Sequence, residues 1–445
     1  MLATLKNFAP LLIYALGFVL FLMSLTGKNR WTLMFVIALI PLRNIIERLH
    51  TMPYGKDFLD FLLITLVIGW FISAASQKHK MVDPSPINKI ALATIFYTMF
   101  SVVHGSMYLG LVDYFQISDP RVQSWKNFCT PLLLYFITFN SVRDRKWVWR
   151  TVLVVCGTML FMDAYLLRQI TWYTNIVSRT KIHGTFVYLG PNEIAAFLNQ
   201  YTIILLGIYF FMRRSLLKWG LLWLIYLNTT GILFLFSRAA YIGLAVGMFF
   251  LFLMKARKFL LPLVLVLLFW QAVLPVKVIE RIEMTTNKYN ELDTSSQKRL
   301  SMWAQGMELF NENPLLGIGY GGFQQMSFEL GDTHNIYVKI LAEQGIIGML
   351  LFALLLITFF TQGIRLFRYG EDDMAKGLGL GFAVSIIVLA INNIFGNRWT
   401  YMEVSTFLWV FAALVARLNI MTVADEKDTL AGKKRKKNIH GKFVT

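Results

Sequence analysis

The sequence predicts an all-α, polytopic membrane protein: a bundle of 12–13 transmembrane helices with one large, partly helical external loop. Composition is the first indication. Hydrophobic residues make up 56% of the 445 positions and charged residues only 15%, whereas a soluble domain has about a quarter of its residues charged. Apolar runs of about 20 residues, the length that crosses a bilayer, are the second indication, because they recur along nearly the whole chain.

Twelve apolar runs are long enough to span the membrane. They lie near residues 8–26, 58–76, 88–110, 127–141, 147–167, 193–212, 216–236, 239–255, 258–276, 336–362, 375–395 and 403–419. A thirteenth run, Trp31 to Leu42, is short and proline-ended, so that it either spans, tilts or re-enters. The first run lacks a preceding basic region and a small-residue cleavage site, which predicts a retained helix.

The positive charges predict the orientation of these helices. Cytoplasmic loops are rich in Lys and Arg, so the basic tail at 433–437 is predicted to be cytoplasmic. Counting back from the tail then places every dense basic cluster on that same side. The external side carries 169–192, the Ser237–Arg238 turn, 277–335 and 396–402. The N-terminus is external if the run from Trp31 to Leu42 spans, and internal if it re-enters.

The predicted domain organisation follows from this topology. The boundaries are 1–276 for the first ten or so transmembrane helices, 277–335 for the large external loop, 336–420 for the C-terminal transmembrane helices and 421–445 for the basic tail. The formal net charge of +18 comes mainly from the loop anchors and the tail. No stacking aromatics alternate with the charges of the tail, so nucleic acid is not an expected partner.

The large loop contains a predicted helix and a glycine-rich turn. Apolar residues recur at helical spacing over 298–310, which predicts an amphipathic helix at the membrane interface that stops at Asn313–Pro314. The following Gly317-x-Gly319-x-x-Gly322 formally matches a dinucleotide-binding fingerprint. No strand precedes it and it faces away from nucleotide pools, so we discard that interpretation. We predict instead a tight turn that glycine permits, with amides able to meet an anion.

His334 is the most informative single residue, because it lies where the loop re-enters the membrane. An imidazole has an ordinary pKa near 6.5 and accepts a proton at neutral pH, which suits a general base. The alternative is a capping or interfacial histidine. Asp332 is close in sequence, but no second His or Cys cluster accompanies the pair, so neither a metal nor a cofactor is predicted.

Three arginines face the same external compartment at membrane depth: Arg179, Arg238 and Arg299. Apolar runs flank Arg238 on both sides, and a guanidinium there is costly unless it snorkels to the interface or meets an anion. Arginine suits the bidentate binding of phosphate groups. These residues therefore predict a site for a lipid-linked phosphate or pyrophosphate.

The second half of the chain resembles the superfamily of O-antigen ligases and O-antigen polymerases, bacterial membrane glycosyltransferases that use undecaprenyl-pyrophosphate-linked glycans. The matching segments are 237–243, 298–303, 313–323 and 334–348. Each would be weak alone, but their order and spacing on either side of one long loop make the match specific. The resemblance covers roughly residues 180 to 415, while the first 170 residues agree only in being hydrophobic.

The resemblance implies a location and a set of site residues. The large loop would be periplasmic, the membrane would be the bacterial inner membrane, and the C-terminus would be cytoplasmic. His334 would activate the acceptor hydroxyl. The pyrophosphate would be held by Arg238 and Arg299, with Arg179 as a further residue. Asn335 and Tyr337 would support the site.

The implied reaction is metal-independent, inverting transfer of a glycan from undecaprenyl pyrophosphate to an acceptor hydroxyl. Pyrophosphate is already a good leaving group, so charge stabilisation by arginines could replace a metal. One general base, worth about 10²–10⁴-fold in rate, then suffices.

The acceptor stays open at this point. A ligase transfers to lipid A core, a polymerase to a second lipid-linked repeat, and a protein glycosyltransferase to a Ser or Thr hydroxyl; we favour the ligase. A second class is a lipid-glycan transporter, which would distribute ionisable residues through several spans. A third class, a structural scaffold, leaves the His and Arg positions unexplained.

Overall fold

The structure is a computed structural model that describes residues 2–76, 80–173, 177–284, 294–326 and 332–440. Within these residues the chain forms eighteen α-helices and no β-strand, which confirms the predicted all-α class. The helices are α1 (Leu2–Leu25), α2 (Asn29–Leu39), α3 (Arg43–Leu49), α4 (Phe58–Ser76), α5 (Pro86–Tyr108), α6 (Pro120–Ser141), α7 (Arg145–Trp172), α8 (Pro191–Phe211), α9 (Leu216–Phe234), α10 (Arg238–Lys255), α11 (Leu260–Leu268), α12 (Trp270–Val273), α13 (Val276–Glu283), α14 (Thr294–Glu312), α15 (Gly322–Met326), α16 (Ile336–Tyr369), α17 (Asp373–Ile394) and α18 (Met402–His440).

Nine of the described helices are long and apolar enough to cross a membrane, namely α4, α5, α7, α8, α9, α10, α16, α17 and α18. The protein is therefore a multi-pass membrane protein, as predicted. The predicted run 127–141 is the second half of α6, whose first two turns are polar. The predicted run 8–26 lies in α1, whose apolar part from Pro10 to Leu25 is shorter than those nine.

The predicted run 258–276 is not one continuous helix. It divides into α11 and α12, with a break at Phe269 and a second at Leu274–Pro275. After α12 the chain continues into α13, where the Arg281 Nε donates to the Phe236 carbonyl at 3.2 Å. Despite its breaks, the chain from α11 to α13 therefore runs back along the length of α10. It starts at the end of α10, after Lys255, and reaches the turn that precedes Arg238.

The bundle has two ends, which we name by their chemistry. The histidine end is where α8, α10, α16 and α18 begin, and the basic end is where α7 and α9 begin. The short helix α2 runs between them. Asn29 donates to the Ser141 hydroxyl at 3.3 Å at the basic end, and just past α2 the Asn44 N–H donates to the Thr185 carbonyl at 2.9 Å at the histidine end. The run from Trp31 to Leu42 thus connects the two ends, although α2 itself is shorter than the membrane-length helices.

The centre of the bundle is formed by α8, α17 and α18, whose membrane-length segments are mostly buried. Glycines let α8 and α17 approach closely: a Cβ on Gly207 would lie 2.5 Å from the Cα of Gly381. Small residues are the usual means of close helix contact in membranes, where apolar burial between helices gives little driving force.

A break in α16 joins the bundle to the large loop. Gly345 has φ 63° and ψ −163°, which is not helical, so the carbonyls before it lose their partners in the helix. The glycine-rich turn at 313–322 supplies replacements. Its Ile318 N–H donates to the Ala342 carbonyl at 2.9 Å and its Gly319 N–H to the Glu343 carbonyl at 2.8 Å. The turn is therefore docked into the break.

The same turn packs against α5 on its other side. Gly319 has φ 95°, and a Cβ there would lie 2.0 Å from the Cα of Gly105. The next residue, Tyr320, donates its N–H to the Ser101 carbonyl at 3.1 Å. The predicted tight turn is confirmed, and only glycine fits at 319 because both the backbone conformation and the contact exclude a side chain.

Candidate active site

His334 lies two residues before α16, in backbone that its neighbours hold on both sides. Asn335 caps the helix: its Oδ1 accepts from the N–H groups of Tyr337 at 3.0 Å and Val338 at 3.3 Å. The Thr333 hydroxyl donates to the Asn335 carbonyl at 3.0 Å, and the Trp303 Nε1 of α14 donates to the Thr333 carbonyl at 3.0 Å. His334 itself has φ 49°, a conformation in which a non-glycine residue is uncommon.

The surroundings of His334 keep its imidazole neutral. The ring is exposed at the surface of the site, yet enough protein surrounds it that desolvation lowers its pKa below the ordinary 6.5. Asp332 acts in the opposite direction, and the positive charges of Arg299 and Arg398 lower the pKa further. A neutral imidazole is the form that accepts a proton.

A second group of positive charges surrounds the turn before α10. Arg179 is buried, and its Nη1 donates to the carbonyls of Leu235 at 2.8 Å and Phe236 at 2.7 Å. Burial, followed by the charges of Arg281 and Arg238, lowers the pKa of Arg179 to about 10. The three guanidinium groups therefore lie close enough to repel one another, which makes this part of the histidine end strongly positive.

Glu193 and Arg398 connect His334 to the arginine group. The Arg398 Nη2 lies 3.4 Å from the Glu193 Oε1, and the charge of Glu193 acts on both His334 and Arg179. Arg398 is buried against Gly396, where a Cβ would lie 0.6 Å from the Arg398 Nη1. Any side chain at 396 would therefore displace this guanidinium.

A buried ionic trio supports the start of α16. The Lys339 Nζ lies 3.0 Å from the Asp332 Oδ1 and 3.9 Å from the Glu343 Oε1. Burial acts to raise the pKa of Asp332, but Lys339 and a hydrogen bond from Asn397 outweigh it and hold that pKa below its usual value. Asp332 is thus an anion two residues from His334, fixed by a cation in the next helix.

The glycine-rich turn meets an anion from within the protein. The backbone N–H groups of Gly321 and Phe323 face the Glu343 carboxylate, which is fully buried. Those of Ile318 and Gly319 are bonded to carbonyls of α16. The turn therefore supports α16 through the bonds of Ile318 and Gly319.

A cavity of about 180 Å³ lies beside the trio and opens at the histidine end. Its lining combines charged groups with aromatic hydroxyls, including Arg121, Tyr320, Asp332, Lys339, Tyr401 and Glu403. Across the described ranges, no group of three or more His, Cys, Asp or Glu side chains is placed to hold a metal ion.

The structure brings most of the predicted site residues together at one end. Arg299, half-buried on α14, contributes to the potential at His334, and Arg179 and Arg238 form one group with Arg281. The predicted amphipathic helix is present as α14, which extends beyond the predicted 298–310 on both sides. Tyr337 anchors α16 to α17, since its hydroxyl donates to the Ala390 carbonyl at 2.8 Å.

Sequence reasoning did not single out Glu193, Arg281, Arg398 or Lys339. A signal existed for two of them. Arg398 lies in a loop that the orientation placed on the external side, and Lys339 is a lone cation within an apolar run, where a charge usually has a function or a partner. Glu193 and Arg281 carry no comparable local signal.

The fold and the site together define a multi-pass membrane protein whose polar groups, dominated by arginines and one histidine, gather at one end of the bundle. A family model described as O-antigen ligase matches residues 221–353, from α9 into α16. The predicted resemblance to the superfamily of O-antigen ligases and polymerases is confirmed over this segment.

A curated relative is the exopolysaccharide production protein ExoQ of Rhizobium meliloti (strain 1021). It is 28% identical over 137 residues, which cover 27% of this chain and 31% of the relative. The match thus spans about a third of the length of the relative. Arg238, Arg299 and His334 fall within the segment that the family model matches, whereas Arg179, Glu193 and Arg398 fall outside it.

Replacing Lys339 by methionine tests the ionic trio. The variant Lys339→Met leaves the buried Glu343 and the half-buried Asp332 carboxylates without their cation, and breaking a buried pair in this way costs on the order of 3–5 kcal/mol. We expect a clear drop in the midpoint of thermal unfolding in detergent. Lys126→Met is the matched control, because Lys126 forms an exposed pair with Asp60 at 2.7 Å and its loss should change little. Equal midpoints for the two variants would contradict a structural role for the trio.

Proposed function

We propose that the protein is a glycosyltransferase of the O-antigen ligase type, which moves a glycan from undecaprenyl pyrophosphate to an acceptor hydroxyl at the histidine end. One observation carries the proposal. A histidine with a lowered pKa shares its electrostatic surroundings with Arg299 and, through Glu193, with the arginine group around Arg238. A base beside a strongly positive surface suits a reaction that deprotonates a hydroxyl and releases a polyanion.

The proposed reaction is a single displacement. Neutral His334 accepts the proton of the acceptor hydroxyl while that oxygen attacks the anomeric carbon of the donor glycan. The bond from this carbon to the pyrophosphate oxygen breaks, and undecaprenyl pyrophosphate leaves with the bonding electrons. Attack from the face opposite the leaving group inverts the configuration, and the proton passes from His334 to solvent.

Each arginine has a distinct part in this proposal. Arg238 and Arg299 bind the pyrophosphate and stabilise its charge as it leaves. Arg179 adds positive charge and holds the turn that carries Arg238, since its Nη1 is engaged with the carbonyls of Leu235 and Phe236. Asn335 and Tyr337 support the site by fixing the start of α16. The cavity of about 180 Å³ offers hydroxyl and charged groups for sugar hydroxyls near this site.

We place the histidine end at the periplasmic face of a bacterial inner membrane and the basic tail in the cytoplasm. The support is the charge distribution, because the dense basic clusters lie at the opposite end of the bundle. In this arrangement 277–335 is the large periplasmic loop, between the helices of 1–276 and those of 336–420, and 421–445 is the cytoplasmic tail. Residues 285–293 and 327–331 of the loop lie outside the described part of the chain.

A polymerase of the same superfamily is the second candidate. It would use the same site with a second lipid-linked glycan as acceptor. The observation that favours it is the matched relative, which is named for exopolysaccharide production.

One assay distinguishes these reactions. The purified protein is given an undecaprenyl-pyrophosphate glycan in detergent with chelator, and candidate acceptors are offered one at a time. We expect a single addition to a lipid A core or peptide acceptor, with release of undecaprenyl pyrophosphate. A ladder of products from the donor alone would identify a polymerase. No transfer to any acceptor, with intact lipid-linked glycan crossing reconstituted bilayers, would overturn the enzyme and indicate a transporter.

Replacing His334 by alanine should lower the turnover by about 10²–10⁴-fold, the usual contribution of a general base. The base acts in its neutral form, and its pKa lies below 6.5. The wild-type rate should therefore hold as the pH falls to 6.5 and decline only at more acid pH. His50→Ala is the matched control, an exposed histidine at the same end. Wild-type turnover in His334→Ala, or the same acid limb in its residual activity, would remove His334 as the base.

Replacing Arg238 and Arg299 together by glutamine should weaken donor binding. Two charge-assisted contacts are lost, which corresponds to a dissociation constant higher on the order of 10²–10⁴-fold. Binding of the donor lipid, measured without acceptor, separates this effect from catalysis. The control is Arg48→Gln with Arg168→Gln, two exposed arginines at the same end. Unchanged donor affinity in Arg238→Gln/Arg299→Gln would exclude the two residues as the pyrophosphate site.

A further inference from the structure

The basic end of the bundle contains a large cavity that the proposed reaction does not use. It has a volume of about 860 Å³ and lies where the turn between α8 and α9 meets the turn between α10 and α11. Five of its ten lining residues are cations: Arg214, Lys218, Lys255, Arg257 and Lys258. Since α10 has 18 residues, the cavity lies about 27 Å from Arg238 at the other end of that helix.

Nothing that lines the cavity balances these charges. Asp and Glu are absent from its lining, all of which belongs to the described part of the chain. Other basic residues at the same end do have carboxylate partners: Arg145 pairs with Asp372, and Arg417 pairs with Asp83 at 2.8 Å. The lining of the cavity therefore carries positive charge without carboxylates, whereas these other basic residues are paired with carboxylates.

Three of the cations at the cavity wall lie over aromatic rings, and two of these contacts are closer than 5 Å. The Lys218 Nζ lies 4.7 Å from the centre of the Tyr209 ring and also donates to the Met212 carbonyl at 2.7 Å. The Lys255 Nζ lies 3.8 Å from the centre of the Phe211 ring. A cation over a ring face keeps its charge while its position is restricted. The charges are thus arranged around the cavity before any ligand arrives.

The cavity adjoins an apolar surface that faces outward. Leu216 is 90% exposed, Trp219 68% and Leu261 66%, and these residues flank the cavity on α9 and α11. A ligand that matches both features has an anionic head and hydrocarbon chains. A free phosphate would match the cations alone.

We propose that this cavity binds the headgroup of an anionic phospholipid, with the acyl chains lying along α9 and α11. Basic pockets between transmembrane helices bind such headgroups in other membrane proteins. The phosphate lies among the cations, and the aromatic rings meet the glycerol region. The site is separate from the proposed glycan-transfer site and does not depend on it.

The test measures lipid binding to the purified full-length chain. Native mass spectrometry in detergent, with dioleoyl phosphatidylglycerol added stepwise, gives an apparent dissociation constant. Arg214→Gln/Arg257→Gln should raise this constant roughly tenfold or more, because each cation near a membrane surface contributes substantially to anionic-lipid binding. Arg365→Gln/Arg368→Gln is the matched control. It removes the same charge from exposed arginines near the basic end of α16, outside the cavity, and should leave the constant unchanged.

All four arginines are exposed, so both variants should keep the wild-type unfolding midpoint without lipid, and this is checked first. Retention of phosphatidylglycerol over dioleoyl phosphatidylcholine by the wild type and the control, but not by the cavity variant, would support the site. Three results would overturn it: equal losses in both double variants, equal binding of the two lipids, or displacement of the lipid by millimolar inorganic pyrophosphate, which would indicate a site for a soluble anion.

Discussion

A helix that breaks within a membrane protein must find new partners for the backbone groups it frees, because hydrocarbon offers none. In α16 the break falls at Gly345, and the carbonyls of Ala342 and Glu343 are satisfied by the glycine-rich turn at 313–322. This requirement pulls the end of the large loop into the bundle and presses it against α5. The loop is therefore anchored by main-chain hydrogen bonds, and hydrogen bonds of Thr333 and Asn335 hold the backbone on either side of His334.

The distribution of charge follows from that anchoring. Close to His334 lies the trio of Asp332, Lys339 and Glu343, in which one lysine faces two carboxylates. Around it lie guanidinium groups, and the charges of Arg281 and Arg238 help to lower the pKa of Arg179. The first arrangement stabilises the scaffold, while the second keeps a positive potential where a phosphorylated substrate would bind. The folded protein tolerates the repulsion between these guanidinium groups because the surrounding packing fixes their positions.

Much of the fold could be predicted from hydropathy, because a membrane span needs a long apolar run and little else. The break in 258–276 could not, since its residues are nearly all apolar on both sides of Phe269 and periodicity does not distinguish a bent run from a straight one. The glycine turn was visible in its spacing. The place where this turn docks could not be predicted. Gly319 contacts Gly105, and a local sequence pattern does not reveal a contact between residues so far apart in the chain.

The site residues likewise include some that could be identified from the sequence and others that could not. His334, Arg238 and Arg299 were visible because a charge or an imidazole beside apolar runs is costly without a purpose. Arg179 lies near Arg238, although its contacts with the carbonyls of Leu235 and Phe236 could not be inferred from its position in the sequence. Glu193 and Arg398 meet only in the folded chain, and the space for Arg398 depends on the missing side chain of Gly396.

The ionic trio also affects how the protein is made. Lys339 and Glu343 lie one helical turn apart on α16, and in the folded structure the Lys339 Nζ is 3.9 Å from the Glu343 Oε1. They are therefore already neighbours when the segment Ile336–Tyr369 first enters the bilayer. An unpartnered lysine within an inserting helix is costly. Because its counter-ion lies on the same helix, the first turns of the segment, with Lys339 and Glu343, can partition as a nearly neutral unit before the rest of the bundle assembles. Asp332 and the glycine-rich turn are needed only afterwards, when Lys339 and Glu343 become buried in the assembled bundle.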